Sequence, residues 1–321
     1  MSLTRHYDTA ADASCSIDKP CRSACSGPWA NHAMMKNRLR SHAVLAYYVL
    51  VFAISWGGML LAVGPSGLFS SKADPSVLTQ LIYLLALAGP SVAGILMTGI
   101  LGGKAGLHEL LSSLLRWRVG VRWYLVALLT APLLMAAIIF VPSLRSPAFV
   151  PAIVTSDDRL GLVMTGIGLG LVVSFFEELG WTGFATPELR KRHGFLPTGI
   201  FMGLIWGAWH YPLFSGSSSG AIPPTLYIAV LLFSFLIPFR ILMIWVYDRT
   251  KSVLVVLLMH APLAAGQLIL LPPAISGERA VTFDLAFAAA LWVFVAAVYV
   301  TIGGAGRDKL GSSDETPRPQ P

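Results

Sequence analysis

Charged side chains are scarce in this chain of 321 residues: only 12% are Asp, Glu, Lys or Arg, whereas 55% are hydrophobic. A soluble domain carries roughly 25% charged residues, so the composition excludes an ordinary soluble protein and indicates a polytopic membrane protein. The formal net charge of +7 would suit nucleic-acid binding in a soluble chain, but in membrane proteins basic residues concentrate in cytoplasmic loops.

The first 42 residues are polar, and we predict that they form a disordered cytosolic tail. We expect no cleaved signal peptide, because the apolar run from Ala43 is long enough to span a membrane and no small-residue cleavage pattern follows it. The cysteines of the chain are Cys15, Cys21 and Cys25. Their odd number closes no disulfide framework and their spacing matches no strong metal pattern, so we interpret them as incidental thiols.

Several apolar runs have about the 20 residues that a helix needs to cross the bilayer core. They lie at about 43–63, 77–101, 122–142, 160–181, 196–214, 222–247, 252–272 and 281–303. The fifth and seventh runs are the least regular, because each carries a histidine and internal Gly or Pro. The sequence therefore predicts an all-α polytopic membrane protein with about eight transmembrane helices over 43–303 and a disordered cytosolic tail over 304–321.

Basic residues fall on one side of this predicted topology. All but five of the 23 Lys and Arg residues lie in the two tails or in the loops that follow even-numbered spans. The exceptions are Lys72, Arg145, Arg159 and Arg279 in the opposite loops, and Arg240 within the sixth span. By the positive-inside rule both termini are cytoplasmic. This topology accounts for the net charge, so we predict no nucleic-acid partner.

Two cytoplasmic loops have patterns of their own. The stretch "GLHELLSSLLRWRVGVRW" has leucines at helical spacing with Arg and Trp at its end, which predicts an amphipathic helix at the membrane interface. The stretch "ATPELRKRHGFLP" is predicted to be a short charged loop closed by Pro197. The chain shows no internal repeat, so an inverted-repeat transporter gains no support.

Few ionisable residues lie inside the fourth to seventh spans. They are Glu177, Glu178, His210, Arg240 and His260. Intramembrane ionisable groups are costly and by default indicate function. At 1.5 Å per residue, the two histidines lie roughly 10–20 Å from the cytoplasmic side, and the glutamates lie a few residues from the cytoplasmic end of the fourth span. Three different helices therefore bring these groups to overlapping depths. This is the arrangement that a buried site needs.

Small residues recur at every fourth position on two of these spans. The rows are Gly166, Gly170, Ser174 and Glu178 on the fourth span, and Gly199, Gly203 and Gly207 on the fifth, shortly before His210. Such rows allow helices to approach closely, so we predict that the glutamates and His210 face protein neighbours and not lipid. A purely structural polar clamp between helices is the alternative interpretation.

A buried glutamate beside histidines has two plausible chemistries. As a general base the carboxylate can activate a water, with one histidine sharing the proton and another stabilising an oxyanion. Glu and His are also ordinary zinc ligands. The zinc-protease pattern HExxH is absent from the chain.

Three stretches of the sequence resemble, in order and spacing, the motifs of the CPBP intramembrane protease family. They are "EELGWTGFATPELRKRHGF", "LIWGAWHYPLF" and "DRTKSVLVVLLMHAPLAAG". This family includes the type 2 CAAX prenyl endopeptidases and the bacterial Abi, or bacteriocin-immunity-associated, proteins. The resemblance covers a protease core at about residues 100–272.

The resemblance implies an eight-helix membrane fold with a peptidase site that opens toward the cytoplasm. It implies that Glu177 activates water, that His210 assists it and that His260 helps to stabilise the oxyanion, with Glu178 as a supporting carboxylate. We expect no required cofactor; zinc bound by Glu177, His210 and His260 is the alternative. The expected partners are the lipid bilayer of a bacterial-type cell membrane and a peptide or protein substrate, membrane-proximal or lipidated.

The sequence departs from the family pattern at two positions. The first motif usually reads EExxxR, and Thr182 in place of the arginine removes a cation from beside the carboxylates. The third motif usually has Asn four residues after its histidine, where Ala264 offers no hydrogen-bond donor. Gln267 lies seven residues after His260, on the same helical face, and is a candidate replacement for the missing amide.

Three functions remain open from the sequence. The leading hypothesis is an intramembrane endopeptidase. The alternative, supported by Thr182 and Ala264, is a weakened or inactive family member that acts as a membrane immunity or regulatory protein. The third is a proton-coupled transporter that uses the glutamates and histidines as a relay.

Overall fold

The computed structural model describes residues 41–68, 77–214, 219–273 and 275–311. The three cysteines lie outside these ranges, as do residues 1–40 and 312–321 of the predicted terminal tails. Within them the chain is helical and no strand is present. Helices of ten or more residues are labelled in chain order: α1 (Ala43–Leu68), α2 (Val77–Leu114), α3 (Val121–Ser143), α4 (Arg159–Gly180), α5 (Phe195–Trp209), α6 (Pro224–Phe233), α7 (Leu236–Thr250), α8 (Val253–Ile269) and α9 (Glu278–Gly311).

Every predicted span contains a helix, and the sixth is divided into α6 and α7. Among the described residues, six helical stretches are long and apolar enough to cross a membrane: Ala43–Ala62, Ala86–Leu114, Val121–Ser143, Arg159–Arg190, Pro224–Thr250 and Glu278–Thr301. The shorter apolar helices α5 and α8 are the two spans whose sequences are least regular. The prediction of an all-α polytopic membrane protein is therefore confirmed. Helix α9 continues beyond the predicted end of the last span at 303.

The structure corrects the predicted loop after α4. The chain stays helical there, first as a π-helical segment (Trp181–Ala185) and then as a short α-helix (Thr186–Arg190). Pro197 does not close the loop but lies in the first turn of α5. Proline is tolerated in a first helical turn, because the backbone N–H groups there have no intrahelical partner.

The predicted interfacial helix is the second part of α2. The helix bends at Gly103, whose φ of 60° lies in the left-handed region, and then continues to Leu114. Glycine adopts this conformation without the steric cost that a Cβ would impose. After the bend, Leu110 and Ser113 are buried and most of their neighbours are exposed, which is the predicted amphipathic pattern.

The small-residue rows face other helices, as predicted. A Cβ atom at Gly203 of α5 would lie 2.6 Å from the Cα of Ile237, and one at Gly199 would lie 2.7 Å from the Cα of Ile241. On α4, a Cβ at Gly170 would lie 3.2 Å from the Cβ of Ala265 on α8. The close packing of α5 on α7 and of α4 on α8 therefore depends on these glycines.

Helix α8 lies at the centre of the packing and contacts α3, α4 and α7. Helix α7 also packs on α5, and α2 packs on both α1 and α4. This arrangement brings the C-terminal turns of α4 and α5, the middle of α8 and the first half of α7 to one place inside the protein.

The predicted orientation can be tested with single cysteines in a background in which Cys15, Cys21 and Cys25 are serine. We expect Asp157→Cys, in the exposed segment before α4, to react with a membrane-impermeant maleimide in intact cells. Lys191→Cys, in the exposed segment after α4, should react only after the cells are permeabilised. The cysteine-free background is the control, and the opposite labelling pattern would show that the orientation is inverted.

Candidate active site

The two adjacent glutamates lie in the last turn of α4 and are almost completely buried. The π-helical segment begins directly after this turn. Thr186 directly follows the π-helical segment, and its hydroxyl donates a hydrogen bond of 2.9 Å to the carbonyl oxygen of Trp181, five residues earlier. π-Helical turns inside α-helices occur frequently at functional sites. Here the widened turn follows the only buried carboxylates of α4, within the part of the chain that the structure describes.

Both carboxylate oxygens of Glu178 accept hydrogen bonds from a positively charged side chain. Arg240 of α7 donates from Nη1 to Oε2 at 2.8 Å and from Nη2 to Oε1 at 3.1 Å. The hydroxyl of Thr182 also donates to Oε2. His260 of α8 contacts Oε1 through Nδ1 at 2.9 Å. A bidentate arginine–carboxylate pair is among the strongest polar contacts in proteins, so this carboxylate is fixed in position.

Arg240 corrects the expectation drawn from Thr182. The sequence indicates that the carboxylates lack a neighbouring cation, but Arg240 brings one from a different helix. The guanidinium is fully buried, and its Cζ atom lies 4.1 Å from the ring centroid of Trp206. Cation–π contact with a desolvated tryptophan adds to the stabilisation of the charge. The site is therefore paired with a cation although the motif arginine is absent.

Glu177 has a different environment. The indole Nε1 of Trp206 donates a hydrogen bond of 2.6 Å to its Oε2. Its other oxygen, Oε1, lies 3.9 Å from Nε2 of His210. This separation is too long for a direct hydrogen bond but suits a water molecule that contacts both groups.

His210 follows the last residue of α5 and is oriented by the backbone of its own helix. Its Nδ1 lies 2.8 Å from the carbonyl oxygen of Trp206. Because a carbonyl oxygen can only accept, Nδ1 carries the proton. In the neutral ring Nε2 is then unprotonated, and this is the nitrogen that faces Glu177.

His260 is buried in the middle of α8, and its ring lies edge-on to Trp206 with the ring centroids 5.1 Å apart. His260 contacts Glu178 through Nδ1, whereas His210 faces Glu177. Trp206 links the two halves of the site, because it bonds Glu177, covers Arg240 and contacts both histidine rings.

A cavity of about 270 Å³ connects the predicted site residues. Glu177, Trp206, His210 and His260 all line it. Most of the remaining lining is apolar, and it includes Leu231, Leu232, Phe235 and Leu236 from α6, α7 and the turn between them. The structure thus brings Glu177, His210 and His260 together in one cavity. Most of its lining is apolar, as is usual for a ligand site.

The cavity has a direction along α8. Its lining on that helix runs from His260 through Leu263 and Ala264 to Gln267, toward the C-terminal end. Under the predicted orientation this end lies away from the cytoplasm, whereas the resemblance implies an opening toward the cytoplasm. The cytoplasmic opening therefore stays a prediction.

The alternative interpretation is a zinc site with Glu177, His210 and His260 as its ligands. Among the described residues, no three His, Cys, Asp or Glu side chains are grouped as the ligands of one metal ion. Zinc bound by Glu177, His210 and His260 stays a hypothesis.

Three residues of the site were missed or given no role by the sequence analysis. Arg240 was recognised as the one cation within a predicted span, but nothing in the sequence connected it with Glu178. Trp206 lies within the second motif, and Asp284 lies within the last predicted span, where an acidic residue is itself a signal. Helix packing decides which of them reach the cavity.

Residues 159–264 match the family model described as type II CAAX prenyl endopeptidase Rce1-like. The matched region contains both glutamates, Arg240 and both histidines of the site.

A protein named CAAX prenyl protease 2, from Methanococcus maripaludis, is 26% identical over 191 residues, which cover 56% of this chain and 70% of that protein. Both comparisons support the assignment of this chain to the CPBP and CAAX protease family, and they confirm the resemblance predicted from the three motifs. The chain is an integral multi-pass membrane protein, and its similarity to these proteins supports a peptidase.

The buried pair of Glu178 and Arg240 makes a prediction about stability. Arg240→Met leaves Glu178 buried without its cation, and removal of one partner from a buried pair typically costs about 3–5 kcal/mol. We expect a loss of this size in the free energy of unfolding, measured by denaturant titration in detergent micelles.

The double variant Arg240→Met with Glu178→Gln is the matched control. It removes both charges, so it should be clearly more stable than the sum of the two single losses implies. Strictly additive losses would show that the two side chains are not energetically coupled.

Proposed function

We propose that this chain is an intramembrane endopeptidase in which Glu177 activates the hydrolytic water. The observation that carries the proposal is the difference between the two adjacent glutamates. Both oxygens of Glu178 are bonded by Arg240, whereas Oε1 of Glu177 accepts no hydrogen bond from a described residue and faces His210 in the cavity. A carboxylate with an available oxygen beside a histidine is placed for general base catalysis.

The reaction proceeds by attack of water on the peptide carbonyl carbon. Glu177 accepts one proton of the water as the oxygen–carbon bond forms, and the carbonyl oxygen becomes an oxyanion. The proton is then passed to the amide nitrogen, with His210 as the neighbouring acceptor and donor, and the carbon–nitrogen bond breaks. The products are a carboxylate and an amine. Trp206 keeps Glu177 in position throughout, because its indole bonds the other oxygen.

We propose that His260 stabilises the oxyanion. Its Nδ1 is directed to the carboxylate of Glu178, so Nε2 is the nitrogen left for the substrate. Nε2 donates a hydrogen bond only when the ring is an imidazolium. Glu178 is placed to stabilise that charge, and its role in the proposal is to support His260, not to act as the base.

We further propose that the reaction requires no metal ion. The support is that Glu177, His210 and His260 together supply a base, a proton carrier and a candidate oxyanion donor. The substrate is proposed to be a peptide or protein segment close to or within the membrane. The name of the Methanococcus maripaludis relative makes prenylated peptides one class to be tested.

Peptide cleavage tests the proposal. Purified protein is incubated with quenched fluorescent peptides, including prenylated members, with and without a strong chelator. We expect Glu177→Gln and His210→Ala each to lower the cleavage rate by about 10²–10⁴-fold, the usual contribution of a general base or acid. The chelator should have no effect.

Glu109→Gln and His193→Ala are matched controls, because both side chains are exposed and neither lines the active-site cavity. Full activity of Glu177→Gln would refute the proposed role of Glu177. Reversible loss of activity with the chelator would establish a metal enzyme instead.

One observation favours the second candidate, a family member without catalysis that acts by binding in the membrane. Ala264 lines the cavity directly beside His260 and offers no amide to an oxyanion. Gln267 lines the same cavity one turn further along α8, so the structure keeps it as the candidate replacement.

Gln267 and Ala264 provide a reciprocal test. If Gln267 donates to the oxyanion, Gln267→Ala should lower kcat by about 10²–10³-fold, as loss of one such donor does elsewhere. Adding Ala264→Asn to that variant should restore a substantial part of the rate. If Gln267→Ala has no effect and Ala264→Asn raises the rate of the parent protein, the parent lacks this donor and is a weakened enzyme.

A further inference from the structure

An acidic residue that the proposed reaction does not use lies in the active-site cavity. Asp284 is in the second turn of α9, and its side chain is buried, with 7% exposure. It lines the same cavity as Glu177, His210 and His260. Helix α9 thereby contributes a charged group to a chamber whose other walls come from α4 to α8.

The carboxylate of Asp284 has no cation of its own. No described residue donates a hydrogen bond to it or forms an ion pair with it, whereas Glu178 receives both from Arg240. Arg240 is committed to Glu178 and cannot serve both acids. Burial of an ionised carboxylate without a partner is costly, so the group stays protonated in the empty cavity or is compensated by a cation when the cavity is occupied.

The other residues that line the cavity indicate what kind of group can reach the carboxylate of Asp284 and balance its charge. Apart from Asp284 and the proposed catalytic groups, the cavity is lined mainly by hydrocarbon and aromatic side chains, among them Leu231, Phe235 and Leu263. A group that reaches Asp284 through this chamber must combine an apolar stem with a positively charged end. Lysine and arginine side chains have this construction, since their methylene stems pack against apolar surfaces while their heads bear the charge.

We propose that Asp284 is a specificity-determining residue that binds the lysine or arginine side chain of the peptide substrate. This inference rests on the proposed function, because it takes the occupant of the cavity to be a peptide. With a volume of about 270 Å³, close to the lower end of the roughly 300–1,000 Å³ range of small-ligand sites, the cavity has room for one long side chain. The active site thus selects for a basic residue near the cleaved bond.

The test uses pairs of peptides that differ in one residue. A lysine is exchanged for norleucine, or an arginine for citrulline, at each position in turn around the cleaved bond. At one position we expect kcat/KM to be about 10–100-fold higher for the basic member, the range expected for a hydrogen bond to a charged group. Asp284→Asn should abolish the preference.

Glu278→Gln is the matched control, because Glu278 is an exposed acid on the same helix and outside the cavity. It should keep the preference. Asp284→Lys should invert the preference in favour of a glutamate peptide. If the wild type shows no preference for a basic residue at any position, or if Asp284→Asn retains it, the assignment is wrong and Asp284 is a structural acid only.

A binding measurement separates this inference from the proposed function. The affinity of Glu177→Gln for a fluorescent lysine peptide and its norleucine counterpart is measured by anisotropy, with and without Asp284→Asn. If the wild type cleaves nothing but Glu177→Gln binds the lysine peptide in an Asp284-dependent way, the proposed catalysis fails and the basic site stands. If peptides are cleaved but binding ignores both the lysine and Asp284, the catalysis stands and the basic site fails.

Discussion

The ion pair between Glu178 and Arg240 is the interaction on which the active site depends. It joins α4 to α7 inside a protein interior where an isolated charge would be strongly destabilising, and His260 and Thr182 complete the contacts of the carboxylate. Because Arg240 is paired with Glu178, it does not occupy the oxygens of Glu177, and one of these oxygens is directed into the cavity. Two neighbouring carboxylates of identical chemistry are thus given different roles by their partners alone.

Close helix packing is the second constraint. The pair can form only because α5 approaches α7, and α4 approaches α8, at the distance that glycine rows permit. Trp206 then fills the space between the two glutamates, the two histidines and Arg240. Its indole orients Glu177 and its ring stabilises the guanidinium, so one aromatic side chain connects the proposed base to the buried charge pair. A rigid framework of this kind suits catalysis, which requires groups that are positioned before the substrate arrives.

The departures from the family pattern acquire different meanings in the structure. At Thr182 the missing arginine has a functional counterpart, since Arg240 reaches the same carboxylate from another helix and Thr182 itself donates to it. At Ala264 no such replacement from the described residues contacts His260. Gln267 shares the cavity but lies seven residues along α8 from His260, about one turn beyond Ala264. The first substitution therefore leaves the charge balance of the site intact, and the second bears directly on how strongly an oxyanion is stabilised.

The sequence by itself determined the class of the protein and the positions of its helices. Long apolar runs in the bilayer have to form helices, because their backbone groups must be satisfied internally. The four predicted site residues could be named for the same reason, since charge within such a run is too costly to be incidental. Only the tertiary structure decided that Arg240 pairs with Glu178, that Trp206 bonds Glu177 and that Asp284 enters the cavity. These contacts join residues far apart in the chain, and the rotation and packing of whole helices, which no local pattern encodes, set which side chains meet.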